Sequence, residues 1–150
     1  MVAVDGKAVQ SFKAGFAGSA LIPGDEGYDE ARALWNVWFD KRPAVVARCG
    51  TTQDVLSGVR FARESGLPLA VRSGGHSLAG LSSCDDGIML DLSPMRDVVV
   101  DAPGRFAQVR SGATWADFDA ATQAHGLAST GGLSRIPESQ ASPWAVGSVG

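Results

Sequence analysis

The sequence predicts a domain of the α+β class, and three patterns support this prediction. Residues 44–72 have the pattern of a strand, a helix and a second strand, the order of a β-α-β unit with parallel strands. Short apolar runs at 88–92 and 98–101, and an alternating run at 105–110, are typical of strands. A further helix is predicted to begin after Thr114.

Length and composition favour one soluble domain. The chain has 150 residues, 45% of them hydrophobic, and a formal net charge of −3. This charge gives no electrostatic basis for binding nucleic acid. No apolar run is long enough to span a bilayer, and the first residues lack the basic region and apolar core of a secretory signal. We therefore expect a cytoplasmic protein with no nucleic-acid or membrane partner.

Residues 1–42 are predicted to form an N-terminal segment with one helix. Residues 1–20 show little periodicity and are expected to pack loosely. A turn at 23–25, Pro-Gly-Asp, precedes apolar residues at helical spacing. These apolar residues are Tyr28, Ala31, Leu34, Trp35 and Trp38. We interpret the two tryptophans as part of a buried helix face rather than as a ligand-binding cage.

The β-α-β unit has clear boundary signals. A strand over 44–48 leads to Thr51, a typical helix N-cap, with Asp54 three residues later. The helix is predicted to end at Gly66, and residues 67–72 return as a strand. The apolar residues of the helix are Val55, Val59 and Ala62. Because no Gly-x-Gly-x-x-Gly pattern opens this helix, the unit is not a Rossmann nucleotide fold.

The loop after the second strand is the candidate site, since open α/β sheets bind ligands at the carboxyl ends of their strands. Gly74 and Gly75 have no side chains, so successive N–H groups can approach an anion such as a diphosphate closely. Ser73 and Ser77 add hydroxyl donors. His76 is nucleophilic at neutral pH and able to bond to an electrophilic carbon. The alternative is a polar turn whose histidine only satisfies its neighbours.

Four residues outside this loop are candidates for other sites and are interpreted as turn or structural residues. Asp85 and Asp86 are predicted to be solvated turn residues, because calcium and magnesium sites need more oxygen ligands than these two and His76 offer. Cys49 and Cys84 are too few for a disulfide framework or a zinc site. No metal site is predicted.

The last predicted elements form a hairpin and a helix. A turn at Pro103-Gly104 joins two strands, and Thr114 is a helix N-cap with Asp117 at the third helical position. The helix is predicted to end near His125. We interpret His125 as a residue that complements the helix dipole rather than as a catalyst.

Two longer stretches resemble a known family. Residues 72–80 are Arg-Ser-Gly-Gly-His-Ser-Leu-Ala-Gly, and residues 87–95 are Gly-Ile-Met-Leu-Asp-Leu-Ser-Pro-Met. With the Pro-Gly-Asp-x-Gly-Tyr-Asp pattern at 23–29, they resemble the FAD-binding domain of the vanillyl-alcohol oxidase and para-cresol methylhydroxylase family, in particular its bacterial berberine-bridge-enzyme-like oxidases. The resemblance implies a PCMH-type FAD-binding domain of two small α/β subdomains with mixed sheets, which residues 43–133 cover incompletely.

The resemblance also implies a cofactor and its ligands. In the family this loop wraps the FAD pyrophosphate, and its histidine, here His76, carries the flavin covalently through the 8α-methyl carbon. The cysteine that attaches the flavin a second time in some relatives has no match, so we expect single attachment. The implied cofactor-binding residues are His76, Ser73, Gly74, Gly75 and Ser77, with Arg72, Thr130, Gly131 and Gly132 as secondary candidates. Arg72, the last residue of its strand, is expected to aid the diphosphate, to face solvent or to pair with a carboxylate.

The resemblance stops at Leu133. The family continues with Gly-Val-Ala-Gly-Leu-Thr-Leu-Gly-Gly-Gly, which residues 134–150 do not match. Back-translated from Ile136 and shifted by one frame, permitted codons spell Pro-Gly-Val-Ala-Gly-Leu-Thr-Leu-Gly-Gly-Gly-Leu-Gly-Trp. We therefore infer a one-base loss near Leu133 or Ser134, and expect residues 134–150 to be an out-of-frame, loosely structured tail.

The implied function is the FAD-binding part of an FAD-dependent oxidoreductase without its substrate domain. In the family a small-molecule substrate delivers hydride to the flavin, and dioxygen reoxidises it with release of hydrogen peroxide. No catalytic residue is assigned in this chain. One alternative is a non-catalytic truncated product that binds FAD weakly or not at all. Another is a non-covalent FAD reductase of the cell-wall enolpyruvyl-glucosamine type, against which His76 argues; a hydrolase is remote, since no nucleophile elbow is present.

Overall fold

The computed structural model describes residues 5–130, which divide into two compact units, one ending at Leu92 and the other beginning at Ser93. The elements of the first unit are α1 (Gly6–Gly15), β1 (Ser19–Leu21), α2 (Tyr28–Arg32), β2 (Val45–Arg48), α3 (Thr52–Ser65), β3 (Leu69–Arg72) and β4 (Ile88–Asp91). Those of the second unit are β5 (Val98–Asp101), β6 (Phe106–Val109) and α4 (Trp115–Gln123). The predicted α+β class, with two small α/β units, is confirmed.

The first unit is built around β4. The strand order is β1-β2-β4-β3, and β4 pairs in parallel with both β2 and β3, while β1 adds an antiparallel strand to β2. All four residues of β4 are buried, as expected of a strand covered on both faces of a sheet. The predicted parallel strands of the β-α-β unit are confirmed. They are not neighbours, however, because β4 lies between them.

Helix α3 begins and ends where the sequence predicts. The Thr51 hydroxyl accepts the Asp54 N–H, the Asp54 carboxylate accepts the Thr51 N–H, and Gly66 ends the helix with a φ of +64°. A Cβ on Gly58 would lie 2.4 Å from the Leu90 side chain, so glycine here lets the helix pack closely on β4. The predicted apolar face is partly wrong, because Val59 is exposed and the buried residues are Asp54, Gly58, Phe61 and Ala62.

The N-terminal residues pack more tightly than predicted. They form a second helix, α1, in a segment for which one helix was expected. The Phe12 ring of α1 stacks on the Phe61 ring of α3 with a centroid distance of 4.4 Å, and Phe16 is buried. The expectation of loose packing was wrong because this helix is stabilised by a contact distant in sequence, which local periodicity does not reveal.

The buried tryptophan face predicted for the next helix is also wrong. Helix α2 ends at Arg32, and Ala33 is already extended. Trp35 is 63% exposed and Trp38 is 90% exposed. The chain leaves the helix because the buried Arg32 guanidinium pairs with Asp40 and donates to the Lys41 carbonyl oxygen at 3.1 Å, which draws the following segment back toward the helix. Tertiary contacts thus override the helical spacing.

The second unit is a hairpin covered by a helix. Strands β5 and β6 pair antiparallel, and α4 is capped by Thr114 and Asp117 as predicted. Ala107 and Phe118 form the centre of its core. No helix within residues 5–130 is long and apolar enough to cross a membrane.

Candidate functional site

The candidate loop leaves the sheet at the carboxyl end of β3. Arg72 is the last residue of that strand, and it lies in register with Asp91, the last residue of the central strand. Arg48, at the end of β2, lies in register with Asp91 on its other side, and its Nε is 3.4 Å from the buried Asp91 carboxylate. The loop therefore begins at the edge where three parallel strands end, which is the position predicted for a ligand site.

Gly75 adopts a conformation that favours glycine. Its φ is +69°, the residue is buried, and a Cβ placed on it would lie 3.2 Å from the Nε of Arg72. A left-handed residue within a run of small residues turns neighbouring N–H groups toward one side, as in anion-binding nests. The backbone of this loop is thus compatible with close approach of a diphosphate.

Arg72 connects the start of the loop to helix α2. Its Nη1 donates a hydrogen bond to the carbonyl oxygen of Ala31. Its Nε is buried and has no hydrogen-bond partner among the described residues. A buried donor without a partner costs free energy and is uncommon in native structures. The predicted alternatives of facing solvent or pairing with a carboxylate do not describe these contacts, because the observed acceptor is a main-chain carbonyl.

The remaining loop residues occupy different environments. His76 is exposed, whereas Ser73 and Ser77 are half-buried. The Ser77 hydroxyl accepts the Leu81 N–H at 3.0 Å, and the Ser77 carbonyl oxygen accepts the Gly80 N–H at 3.0 Å. A hydroxyl oxygen that accepts still carries a hydrogen to donate, so the donor role of Ser77 stays a prediction.

Sequence reasoning missed a set of residues that contact this loop from the other side. We call residues 31–42 the bracing segment. The Asn36 side chain donates to the Leu78 carbonyl oxygen at 3.0 Å, and the Lys41 ammonium donates to the carbonyl oxygens of Gly80 and Ser83. The only local signal was that these polar residues interrupt the apolar spacing around the tryptophans.

The two neighbouring aspartates, Asp85 and Asp86, form hydrogen bonds with the backbone of Arg42. The Asp85 carboxylate accepts the Arg42 N–H at 2.8 Å, and the Asp86 N–H donates to the Arg42 carbonyl oxygen at 3.1 Å. Within residues 5–130 no group of three or more His, Cys, Asp or Glu side chains is arranged to hold a metal ion. These observations fit the interpretation of both aspartates as turn residues.

The two cysteines are free thiols among the described residues. Cys49 is fully buried at the end of β2, and burial, followed by the negative charges of Asp54 and Asp91, raises its pKa to about 12. Burial also raises the pKa of Cys84. Thiols with raised pKa values are poor nucleophiles, which agrees with a structural role.

The secondary candidates lie later in the chain. Thr130 is an exposed residue of the second unit. Gly131 and Gly132 lie outside the described residues, as does the predicted out-of-frame tail at 134–150. Their roles stay predictions.

Comparison with known proteins places this chain in a family. The sequence model of the family described as FAD binding domain matches residues 43–146. The chain is 35% identical over 116 residues to (R)-6-hydroxynicotine oxidase of Paenarthrobacter nicotinovorans, which covers 77% of this chain and 25% of that protein. It is 38% identical over 96 residues to an uncharacterized FAD-linked oxidoreductase of Bacillus subtilis, which covers 63% of this chain and 22% of that protein.

Solved structures show the same relationship. The crystal structure of 6-hydroxy-D-nicotine oxidase from Arthrobacter nicotinovorans matches with a TM-score of 0.78 and 34% identity, covering 83% of this chain and 27% of that one. Berberine-bridge-enzyme-like protein 1 of Physcomitrella patens shares the fold, with a TM-score of 0.79, 21% identity, and coverage of 88% of this chain and 29% of that one. The chain spans about a quarter of the length of the curated relatives it matches. Since the family model covers residues 43–146 and relatives above 30% identity share the fold, this chain belongs to the FAD-binding domain family of the vanillyl-alcohol oxidase and para-cresol methylhydroxylase type.

Proposed function

We propose that this chain is the FAD-binding part of an FAD-dependent oxidase, that residues 73–77 hold the FAD pyrophosphate, and that His76 carries the flavin covalently. The observation that supports this most directly is the close approach of the Arg72 guanidinium to Gly75. Gly75 has no side chain, which lets the buried Nε of Arg72 lie close to this left-handed turn, and that Nε has no hydrogen-bond partner among the described residues. An anionic diphosphate on this turn would lie beside the fixed positive charge of the guanidinium.

The cofactor and the residues of the chain have different roles in this proposal. Bound FAD supplies the redox step, in which it accepts a hydride from a small-molecule substrate and dioxygen takes up the two electrons as hydrogen peroxide. The chain's own residues bind and orient. Ser73, Gly74, Gly75 and Ser77 are the proposed pyrophosphate donors, Arg72 adds a positive charge, and His76, which is exposed, is the proposed attachment residue.

Covalent attachment through His76 is a balanced oxidation. A bond forms between an imidazole nitrogen of His76 and the 8α-methyl carbon, and each partner loses one hydrogen. With dioxygen as the acceptor, these two hydrogens leave as hydrogen peroxide. The adduct therefore weighs as much as chain plus FAD less two hydrogen atoms. Imidazole is a suitable nucleophile because a ring nitrogen carries an available lone pair.

Intact mass under denaturing conditions tests the proposal, on chain expressed with ample FAD. The chain has two histidines, so His125→Ala is a matched control for His76→Ala. We expect the adduct mass in the wild type and in His125→Ala, and the unmodified mass in His76→Ala. An adduct that persists in His76→Ala would contradict the assignment of the attachment site.

Flavin absorbance after acid denaturation separates the alternatives. Colour that stays with the precipitated chain indicates covalent attachment, and colour released into solution indicates reversible binding of the reductase type. A chain that acquires no colour would indicate the non-catalytic product. The last two outcomes would each overturn the covalent proposal while leaving the family membership intact.

A further inference from the structure

The Lys41 ammonium binds the backbone at the far end of the candidate loop. Its Nζ lies 3.0 Å from the carbonyl oxygen of Gly80 and 3.1 Å from that of Ser83. It also lies 6.0 Å from the centroid of the Phe39 ring. A lysine has three N–H donors and no acceptor, and charge-assisted hydrogen bonds to carbonyl oxygens are stronger than neutral ones. One half-buried side chain thus ties two separate points of the loop to the bracing segment.

Gly80 connects Lys41 to His76. The Gly80 N–H donates to the Ser77 carbonyl oxygen at 3.0 Å, and the next N–H, that of Leu81, donates to the Ser77 hydroxyl at 3.0 Å. Ser77 directly follows His76 in the chain. A displacement of the Gly80 carbonyl would therefore move the turn that fixes the backbone of His76 on its C-terminal side.

The opposite side of the loop is fixed independently. Arg72 belongs to β3, and its guanidinium donates to the carbonyl oxygen of Ala31. His76 therefore lies between attachments to the bracing segment: Arg72 at Ala31 on one side, and Asn36 at Leu78 with Lys41 at Gly80 on the other. Both Asn36 and Lys41 lie on the His76–Ser77 side of the left-handed Gly75, but the Asn36 bond is exposed, whereas Lys41 is half-buried and holds two carbonyl oxygens.

We propose that Lys41 is a positioning residue for covalent flavin attachment, holding the Ser77–Gly80 turn so that the imidazole of His76 faces the 8α-methyl carbon. This inference rests on the proposed function. Lys41 itself makes no bond to the cofactor in this proposal, and the attachment reaction is the one balanced above. Misplacement of a reacting group by about 1 Å lowers rates by up to roughly a hundred-fold.

The test compares Lys41→Met, which keeps an unbranched chain of four atoms and removes the ammonium donors, with Lys41→Arg, which keeps the charge. Lys13→Met is a matched control, because Lys13 pairs with Asp25 in the same unit, outside the bracing segment and the loop. Apoprotein is mixed with FAD, and the covalent adduct is followed over time by intact mass. Amide hydrogen exchange of residues 77–83 reports on the loop, with α3 as an internal reference.

We expect Lys41→Met to slow attachment by roughly ten-fold or more, with faster exchange at 77–83 and unchanged exchange in α3. Lys41→Arg and Lys13→Met should both attach flavin at close to the wild-type rate. If Lys41→Met does not fold, Lys41→Gln, which keeps a neutral donor, takes its place and should show the same two effects in reduced form.

Three results would overturn the inference. If Lys41→Met attaches flavin at the wild-type rate although residues 77–83 exchange faster, Lys41 has only a structural role. If amide exchange at 77–83 is unchanged in Lys41→Met, Lys41 does not order the turn. Slow attachment in Lys41→Arg would show that charge and donors at this position are insufficient. A wild-type chain that never acquires covalent flavin would instead overturn the proposed function, with exchange at 77–83 still deciding whether Lys41 orders the loop.

Discussion

The ring of Phe39 lies against the α-carbon of Gly80, so closely that a Cβ on Gly80 would be 2.4 Å from the ring Cγ. Gly80 also has a φ of +66°, almost the same as the +64° of Gly66, beside which no atom lies within 4 Å of an added Cβ. A substitution at either glycine therefore strains the backbone, but only Gly80 also lacks the space for a side chain.

We expect Gly80→Ala to destabilise the protein more than Gly66→Ala. The left-handed conformation costs an alanine about 1–2 kcal/mol at either position, and overlap with Phe39 adds about 1–3 kcal/mol at Gly80 alone. Chemical denaturation of both variants measures the difference in the free energy of unfolding. Replacing Phe39 by leucine in the Gly80→Ala background should recover part of the loss. Equal losses in the two alanine variants would show that the ring moves away without cost.

Arg72 should contribute to reversible FAD binding. In a His76→Ala background, where attachment is blocked, Arg72→Met removes the guanidinium next to Gly75. Loss of a charge-assisted hydrogen bond of about 2 kcal/mol corresponds to a roughly thirty-fold higher Kd for FAD. Flavin fluorescence quenching measures the Kd. Arg63→Met, an equal change of charge at an exposed position of α3, should leave it unchanged, and a similar Kd in both variants would contradict a role for Arg72.

The buried thiol of Cys49 should resist alkylation in the folded protein. With a pKa of about 12, raised first by burial and then by Asp54 and Asp91, roughly one thiol in ten thousand is ionised at pH 8. In Cys84→Ser, iodoacetamide should add no mass at pH 8 until denaturant is present. Alkylation of Cys49 at the rate of a free thiol without denaturant would show that the end of β2 opens readily.

Asp117 should make stability depend on pH. Desolvation alone would raise its pKa, but hydrogen bonds from the Thr114 N–H and hydroxyl, and the Arg96 guanidinium, outweigh it and lower the pKa below the ordinary 3.8. A carboxyl group with a lowered pKa in the folded state stabilises the fold above its ordinary pKa. This stabilisation is lost as the pH falls through the folded-state pKa.

Asp117→Asn should therefore cost about 1 kcal/mol at neutral pH, and the difference from wild type should shrink below pH 3.8. Urea denaturation at a series of pH values measures this difference in the free energy of unfolding. Asp119→Asn makes the same charge change on the same helix outside the cap, and should show a smaller effect. A pH-independent difference for Asp117→Asn would assign the loss to geometry rather than to charge.

The proposed frame change near Leu133 predicts a specific DNA sequence. The codons from Ile136 onward should spell the family's glycine-rich motif when read one frame over. Sequencing the coding DNA across this point shows whether a base has been lost. The family match extends to residue 146, so codons incompatible with the shifted motif would make residues 134–146 an in-frame, divergent part of the domain.

Local signals in the sequence predicted the boundaries of α3 and α4. Thr51 with Asp54, Thr114 with Asp117, and the left-handed Gly66 act through hydrogen bonds and backbone preferences within a few residues. Such interactions are encoded where they occur, so a single sequence is sufficient to find them.

Features that depend on distant residues were missed. Helix α1 is held by Phe12 on Phe61, 49 residues away in the sequence. The tryptophans were predicted to be buried because their spacing is helical, but Arg32 ends that helix through contacts with Asp40 and Lys41. The loop itself was found from its glycines and histidine, whereas Lys41 has no signature of its own.

The insertion of β4 between β2 and β3 has a consequence for the order in which the chain assembles. Residues 45–72 contain two strands that do not pair with each other. Strand β2 can pair with the earlier β1, but β3 has no strand partner until Ile88–Asp91 arrives. Pairing of β3 with β4 then closes the intervening residues into a loop, and the entropy of that closure is lost in the same step. On a ribosome, the turn at residues 73–77 would therefore take its shape only after the central strand has emerged, which makes the proposed cofactor site a late product of folding.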